Sequence, residues 1–556
     1  MYSFATRGFA ALCLAAALIA ATWWWLGRPI ALPPVAADPG PIQCVSYAPF
    51  RVDESPLVET TSVPPFEIEE DLGKLAKLTS CVRTYSIENG LDQVPAIAGR
   101  LGLKVLQGLW LGSDRQKNRR QIDATVALAK QHRDVITAIV VGNEVLLRGE
   151  LAPEELASVI REVKTATAIP ATYADVWEFW LRNRDLAQAV DFVTIHILPY
   201  WEDFPIAAAE AGAHVDAIRS EVAASFPGKD ILIGEVGWPS AGRMREGALP
   251  SPSNQARVLA EVMARARARN YRVNLIEAFD QPWKRQLEGT VGGYWGLFGS
   301  TKREPKFAWG EPVSDHPWWV LQLVGGLMMA GAVFAAAMGA GESLRWGGTR
   351  NSGFASGREV TRRGMRSIVI LASVTIIAVT AGIAVPWAVA NAAVESLGVG
   401  GWLRGAALVA VAVAAPVSAV LALVSNVAVP PLARVLGRSE QRPRKSTAMA
   451  SGIVLVAATT LAIQTALGLV FDPRYRDFAF APLSAAIVPF AVVAAVGPPR
   501  KGTRGRAETV AAATLAGSAV YIALNESFAN WQAIWSAAML ILLAITLWQA
   551  RDAQST

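Results

Sequence analysis

The chain has 556 residues, 52% of them hydrophobic, with a formal net charge of +6 and a mean hydropathy of +0.31. That is too apolar for a soluble enzyme alone. The basic balance does not point to nucleic acid either, because its arginines cluster at the ends of apolar runs.

The first element is an apolar run, Phe9–Leu26, which assigns residues 1–28 to an N-terminal membrane anchor or signal-anchor. A cleaved signal peptide is the alternative, with Arg7 as its basic start and small residues near Ala36 as a cleavage site. Trp23, Trp24 and Trp25 suit an interfacial aromatic belt and favour a retained anchor.

Residues 29–316 mix charge, proline and aromatics as a globular domain does. Strand-like stretches come at Ile42–Ala48, Cys81–Ser86, Lys104–Trp110, Ile136–Asn143, Ala171–Tyr173, Asp191–His196, Asp230–Gly234 and Val273–Ala278. Between them lie helical stretches, among them Ile68–Leu78, Arg115–Gln131, Pro153–Thr167, Ala207–Ala224 and Ser253–Asn270. Alternation of this length and order predicts an α/β fold, a (β/α)8 TIM barrel, followed by a multi-span α-helical membrane domain. An open doubly wound sheet is the runner-up, but no Gly-rich phosphate loop follows the first strand. Cys44 and Cys81 each open a predicted strand, and a disulfide between them or two free buried thiols are both compatible with the sequence.

Residues 317–556 read as a membrane domain of seven spans, near Trp318–Ala340, Ser367–Ala390, Gly405–Ser425, Ala448–Val470, Phe480–Val496, Glu508–Leu524 and Trp531–Trp548. Alternate links are Arg-rich: Arg345, Arg350, Arg358, Arg362, Arg363 and Arg366, then Arg434, Arg438, Arg442, Arg444 and Lys445, then Arg500, Lys501, Arg504 and Arg506. The positive-inside rule puts those links and both termini in the cytoplasm, and the globular domain outside it.

A barrel carries its chemistry at the C-terminal ends of its strands. Tyr47, Arg83, Tyr85, Trp110, Asn143, Glu144, Tyr173, Asp175, His196, Glu235 and Glu277 all fall at or just beyond such ends. Glu144 closes the run Ile139-Val140-Val141-Gly142-Asn143, and Glu235 follows Ile231-Leu232-Ile233-Gly234. Two carboxylates delivered to one rim suit cleavage or transfer of a glycosidic bond, one as acid/base and one as nucleophile. Asn143 can bind a sugar hydroxyl, and Trp110, Trp201, Trp238 and Trp283 follow strand ends as stacking platforms. No metal constellation appears and no cofactor is expected.

Val82-Arg83-Thr84-Tyr85, Val141-Gly142-Asn143-Glu144 and Gly234-Glu235-Val236-Gly237-Trp238-Pro239-Ser240 together resemble glycoside hydrolase family 17, the β-1,3-glucanase family. Phe279-Asp280-Gln281-Pro282-Trp283-Lys284, Glu288 and Trp295-Gly296-Leu297-Phe298 extend the likeness to the last strand. The resemblance implies Glu144 as acid/base, Glu235 as nucleophile and retention through a glycosyl-enzyme. Strand-end position together with the resemblance gives the expected substrate contacts: Tyr47, Arg83, Tyr85, Trp110, Asn143, His196, Tyr200, Trp201, Trp238, Glu277, Trp283, Lys284 and Glu288. Two departures from the plant-type pattern bear on cleft shape: His196-Ile197-Leu198-Pro199 replaces Asn-x-Tyr-Pro, and Gln281 replaces a Glu. The pattern is more similar to a bacterial membrane-attached branch, some members of which are labelled β-(1→3),(1→6)-glucan synthesis proteins.

The expected partners are a β-glucan oligo- or polysaccharide, the lipid bilayer and a glucan synthase in the same membrane. Hydrolysis and transglycosylation use the same residues, and fixation at the membrane favours transfer. A sugar-binding domain on a glucan transport unit is the alternative from another class. It is disfavoured because no charged residue lies near the middle of a span.

Overall fold

A computed structural model describes residues 4–37, 40–346, 357–437, 442–443, 445–497 and 503–551. The chain divides into two units, Pro29–Val313 and Met1–Arg28 with Ser314–Thr556.

The first unit is a closed barrel of eight parallel strands in sequence order. They are β1 (Cys44–Ser46), β2 (Cys81–Arg83), β3 (Lys104–Leu109), β4 (Ile136–Asn143), β5 (Ala171–Val176), β6 (Val193–His196), β7 (Ile231–Val236) and β8 (Arg272–Leu275). Val45 of β1 pairs with Val82 on one side and Leu275 on the other, which closes the ring. Such strands are covered on both faces, so their near-continuous apolar runs follow from burial. The helices Arg115–Gln131 and Pro153–Thr167 begin where local chemistry stops the chain. Asp114 accepts hydrogen bonds from the Gln116 and Lys117 amides at 2.9 and 3.0 Å, and Pro153 occupies a first-turn position where no N–H is needed.

Every strand but β4 differs from the sequence reading: β2 stops at Arg83 rather than Ser86, β3 at Leu109 rather than Trp110, β6 opens at Val193 rather than Asp191, and β7 runs Ile231–Val236 rather than Asp230–Gly234. β1 is shorter than Ile42–Ala48, because Ile42 makes only an isolated bridge to Thr79. β8 stops at Leu275, short of Ala278. β5 runs past Tyr173 to Val176, because buried Asp175 is satisfied by the Tyr173 hydroxyl and the Val176 amide and so does not end the strand. Helices at Val94–Arg100 and Trp177–Arg182 are additional to those read from the sequence. Cys44 and Cys81 are joined as a disulfide between β1 and β2.

The second unit is helical. Among the described residues, seven of its helices are long and apolar enough to cross a membrane: Thr6–Gly27, Trp319–Gly341, Met365–Glu395, Gly398–Val424, Ser446–Phe471, Arg506–Asn525 and Trp531–Gln549. Phe480–Val496, read as a span from the sequence, is a shorter apolar helix of 17 residues. Of the basic links, Arg350, Arg438, Arg444, Arg500 and Lys501 lie outside the described residues.

Small residues let these helices approach closely. A Cβ built on Gly326 would lie 2.2 Å from the Gly382 carbonyl oxygen, so neither position has room for a side chain. Pro386 sits inside a helix and has no N–H to give the carbonyl of Gly382, four residues earlier. The buried indole of Trp23 supplies the missing donor, Nε1 to Gly382 O at 3.2 Å. Trp23, His316, Trp387, Phe480 and Trp531 form one aromatic cluster, with successive ring centroids 5.1–6.2 Å apart.

Candidate active site

Glu144 and Glu235 reach the same rim by different local devices. Gly142 and Glu144 both have positive φ, 85° and 52°, so the chain turns sharply as β4 ends. The Glu144 amide still donates to Ala174 O at 2.8 Å, which anchors the turn to β5. Arg148 closes it, donating to the carbonyl oxygens of Asn143 and, at 2.7 Å, Leu111 while its guanidinium lies over Trp110. Leu146 N–H donates to Tyr173 Oη and Leu147 N–H to Asp175 Oδ2, so β5 holds the far side. Glu235 needs no turn, because it is still within β7 and points inward.

Around Glu235 the hydrogen bonds converge on one oxygen. Tyr85 Oη lies 2.9 Å from Glu235 Oε1 and 2.9 Å from Ser46 Oγ. An ionised carboxylate cannot donate, so the phenol proton goes to Glu235. Arg83 Nη1 donates to the same Oε1 at 3.2 Å and to Gly234 O at 2.7 Å, and its Nη2 donates to Asn143 Oδ1 at 2.6 Å. Asn274 Nδ2 donates to Ser46 Oγ and Gly234 O at 2.8 and 2.7 Å, completing the support from β8. Burial, then the Glu235 charge, raises the Tyr85 phenol well above its ordinary range, so it remains a proton donor.

His196 lies between the two carboxylates. Its Nδ1 is 2.9 Å from Glu144 Oε1 and its Nε2 is 3.5 Å from Glu235 Oε1, and the ring has no exposure. One donor atom from each of Glu144, His196 and Glu235 lies within 4.8 Å of the others. Three such donors can hold a metal ion, a grouping that their separation in sequence hides. Here the carboxylates already face cationic and hydrogen-bonding partners, with Arg83 on Glu235 and His196 against Glu144. Burial works to raise the Glu144 carboxyl, but the His196 hydrogen bond and charge, then Arg148 and Arg83, outweigh it and hold it below the ordinary range.

A second acidic group adjoins the pair. Lys284 Nζ is 2.9 Å from both oxygens of Glu277, which burial pushes up to about 7 against the pull of Lys284. Burial also raises Glu288, with the charges of Glu144 and Glu235 adding to the effect.

The expected substrate contacts separate into two groups. Tyr85, Trp110, Trp201, Trp283, Lys284 and Glu288 are partly exposed. Tyr47, Tyr200, Trp238 and Glu277 are corrections, since each is buried and presents no surface to a substrate in this structure. Tyr47 Oη bonds Asp71 at 3.2 Å, Tyr200 Oη donates to Arg243 O at 2.9 Å, and Trp238 Nε1 donates to Leu249 O at 3.0 Å. Each sits near a strand end but turns into the layer behind the rim. Arg83 and His196 are likewise buried and hold the carboxylates, while Asn143 is engaged by Arg83. Sequence reasoning gave no role to Arg148, Ser46 or Asn274. The signal for Asn274 was a lone amide inside an apolar strand, which must find buried partners.

Residues 44–296 match the BtgE/BtgC glycoside hydrolase domain. The chain is 27% identical over 257 residues to a glucan 1,3-beta-glucosidase of Saccharomyces cerevisiae, covering 42% of this chain and 82% of that protein. It is 26% identical over 256 residues to a glucan 1,3-beta-glucosidase of Candida albicans, covering 42% and 83%. Among solved structures, a glycoside hydrolase family 17 beta-1,3-glucanosyltransferase from Rhizomucor miehei is similar at 27% identity, covering 48% of this chain and 95% of that one, with a TM-score of 0.42.

Proposed function

We propose that the barrel is a glycoside hydrolase domain of the family 17 β-1,3-glucanase kind and that the chain is a membrane-bound retaining enzyme that remodels β-1,3-glucan outside the cytoplasmic membrane. Glu144 is its acid/base and Glu235 its nucleophile. One observation carries this reading: carboxylate oxygens of Glu144 and Glu235 lie within 4.8 Å of each other. Retaining enzymes hold their carboxyl groups about 5–5.5 Å apart, whereas inverting enzymes need about 6.5–9.5 Å to admit a water. Tyr85, Arg83 and His196 all address Oε1 of Glu235, which leaves Oε2 to attack the anomeric carbon.

Transfer is favoured over hydrolysis. An enzyme fixed beside a glucan emerging from a synthase in the same membrane meets its acceptor at high local concentration. Trp201 and Trp283 offer partly exposed faces on which an acceptor ring can stack. The full chain, supplied with a laminari-oligosaccharide at millimolar concentration, should yield products longer than the donor by mass. Only shorter sugars across the whole donor range would make it a hydrolase.

The membrane placement has its own support. Trp23 and Trp387 lie near helix C-termini, and Phe480 and Trp531 at helix N-termini, so in an up-and-down bundle their cluster marks one end. The helix ends that lead into and out of the Arg-rich links are at the opposite end, which the positive-inside rule would make cytoplasmic. Buried Ala15, Ile19 and Trp23 make the first helix part of the bundle and favour its retention. Reporters fused after Arg350, Arg442 or Lys501 should read cytoplasmic, and one near residue 310 should read external. An external signal from any of the three would break this topology.

A further inference from the structure

A glycosidase acid must carry a proton when substrate arrives, yet the surroundings of Glu144 favour its ionised form. Four charged or titratable groups face the ring of His196: Glu144 beyond β4, Glu235 in β7, Arg83 in β2 and Asp175 in β5. The buried ring is 2.9 Å from the acid at Nδ1 and 3.5 Å from the nucleophile at Nε2, and no other described side chain joins the two in this way.

We propose that His196 is a positioning residue that stores the proton Glu144 delivers, shared along the Nδ1–Oε1 contact and held there by the negative charge of Glu235 at Nε2. This rests on the assignment of Glu144 and Glu235 given above. In the free enzyme one proton is shared by Glu144 and Nδ1, and another sits on Nε2, facing Glu235. As Glu235 bonds to the anomeric carbon its charge is consumed, and the imidazolium loses one of its two anions. The shared proton then passes through Glu144 to the glycosidic oxygen as the bond from that oxygen to the anomeric carbon breaks. The ring is left neutral with its proton on Nε2, and Glu144 is left anionic, which is the form needed as base. In the second half, an acceptor hydroxyl or water gives its proton to Glu144, its oxygen bonds the anomeric carbon, and the bond to Glu235 breaks. The restored Glu235 charge draws the shared proton back toward Nδ1. The acid is thereby loaded only while the nucleophile is free.

The test is His196→Gln in the full-chain enzyme, assayed by kcat/KM on two substrates. A laminari-oligosaccharide needs its leaving group protonated, whereas a dinitrophenyl β-laminaribioside does not. The variant should lose about 10²–10³-fold on the oligosaccharide and at least about tenfold less than that on the aryl glycoside, where only its contact with Glu235 is missed. Retained turnover of the aryl glycoside shows that the variant is folded, and His196→Asn provides a second amide should His196→Gln not accumulate. Adding either change to Glu144→Gln should slow oligosaccharide cleavage no further, since both act on one proton. Equal losses on the two substrates, or an added loss on the Glu144→Gln background, would overturn the relay in favour of a purely structural ring. A wild-type chain inactive on both substrates would instead overturn the glucanase reading, and the relay with it.

Discussion

In the barrel, Arg83 donates to three partners on two other strands: Gly234 and Glu235 on β7 and Asn143 on β4. In the helical unit, the buried donor Trp23 Nε1 serves a single carbonyl that Pro386 leaves open. The difference reflects what each unit must hold. The barrel keeps charged groups inside at fixed distances, so each needs several compensating contacts. The helices satisfy most of their own backbone, and Trp23 serves the place where Pro386 breaks the ladder at Gly382. Substitutions should therefore act on chemistry in the first unit and on packing in the second.

The strongest way to break that contrast is at the carboxylate pair. Glu144→Gln and Glu235→Gln should each lower kcat on laminari-oligosaccharides by about 10²–10⁴, with little change in thermal stability. Covalent labelling by a mechanism-based fluoro-sugar should be lost only in the Glu235 variant. Near-normal turnover in either would remove the assignment. Trp238→Ala should behave in the opposite manner, with a stability loss of about 3–5 kcal/mol and a lowered melting temperature, because its ring is packed behind the rim. Trp201→Ala should raise KM and reduce longer products while leaving the fold intact.

The sequence carried the alternation of elements because a parallel barrel imposes it: each strand must be apolar and each functional residue must follow one. The strand-end positions of Glu144 and Glu235 were legible for that reason. Orientation was not legible. Tyr47, Tyr200 and Trp238 occupy the same kind of position as Tyr85 and Trp201, yet they point behind the rim, and a strand end fixes where a residue sits without fixing its rotamer. The bridging place of His196 depends on β6 lying between β5 and β7 in a closed ring, which no local pattern encodes. In the helical unit the long apolar helices were legible from apolar length, but the match between Trp23 and the gap at Pro386 joins residues 359 positions apart in the pair Trp23–Gly382.

That match gives the next, smaller test. Trp23→Phe keeps the apolar ring and removes the N–H, and should cost about 1 kcal/mol of stability in detergent or membranes. Pro386→Ala restores a backbone donor to Gly382 O. On that background Trp23→Phe should cost almost nothing, and a cycle without coupling would show that the contact does not hold the helices.

The smallest expected effect is the pH dependence of barrel stability. Burial raises Asp71 and Asp175 to about 6 and Glu277 to about 7, from ordinary values of 3.8, 3.8 and 4.5. A raised carboxyl binds its proton more tightly in the folded state than in the unfolded state. Its contribution is therefore fully present below the unfolded value and is lost as pH rises through the folded value. Glu144 is lowered and acts with the opposite sign, but its contribution is lost only as pH falls below the ordinary carboxylate range. Between about pH 4.5 and 7 the three raised groups dominate, so the barrel should become less stable across that window, by a few °C in the midpoint of thermal inactivation. Asp71→Asn should flatten the slope, because an amide does not titrate, even though above about pH 6 it also removes the ion pair with Arg303. A midpoint that rises from pH 5 to 7, or a slope that Asp71→Asn leaves unchanged, would show that these carboxyls are held ionised by their Arg and Lys neighbours despite their burial.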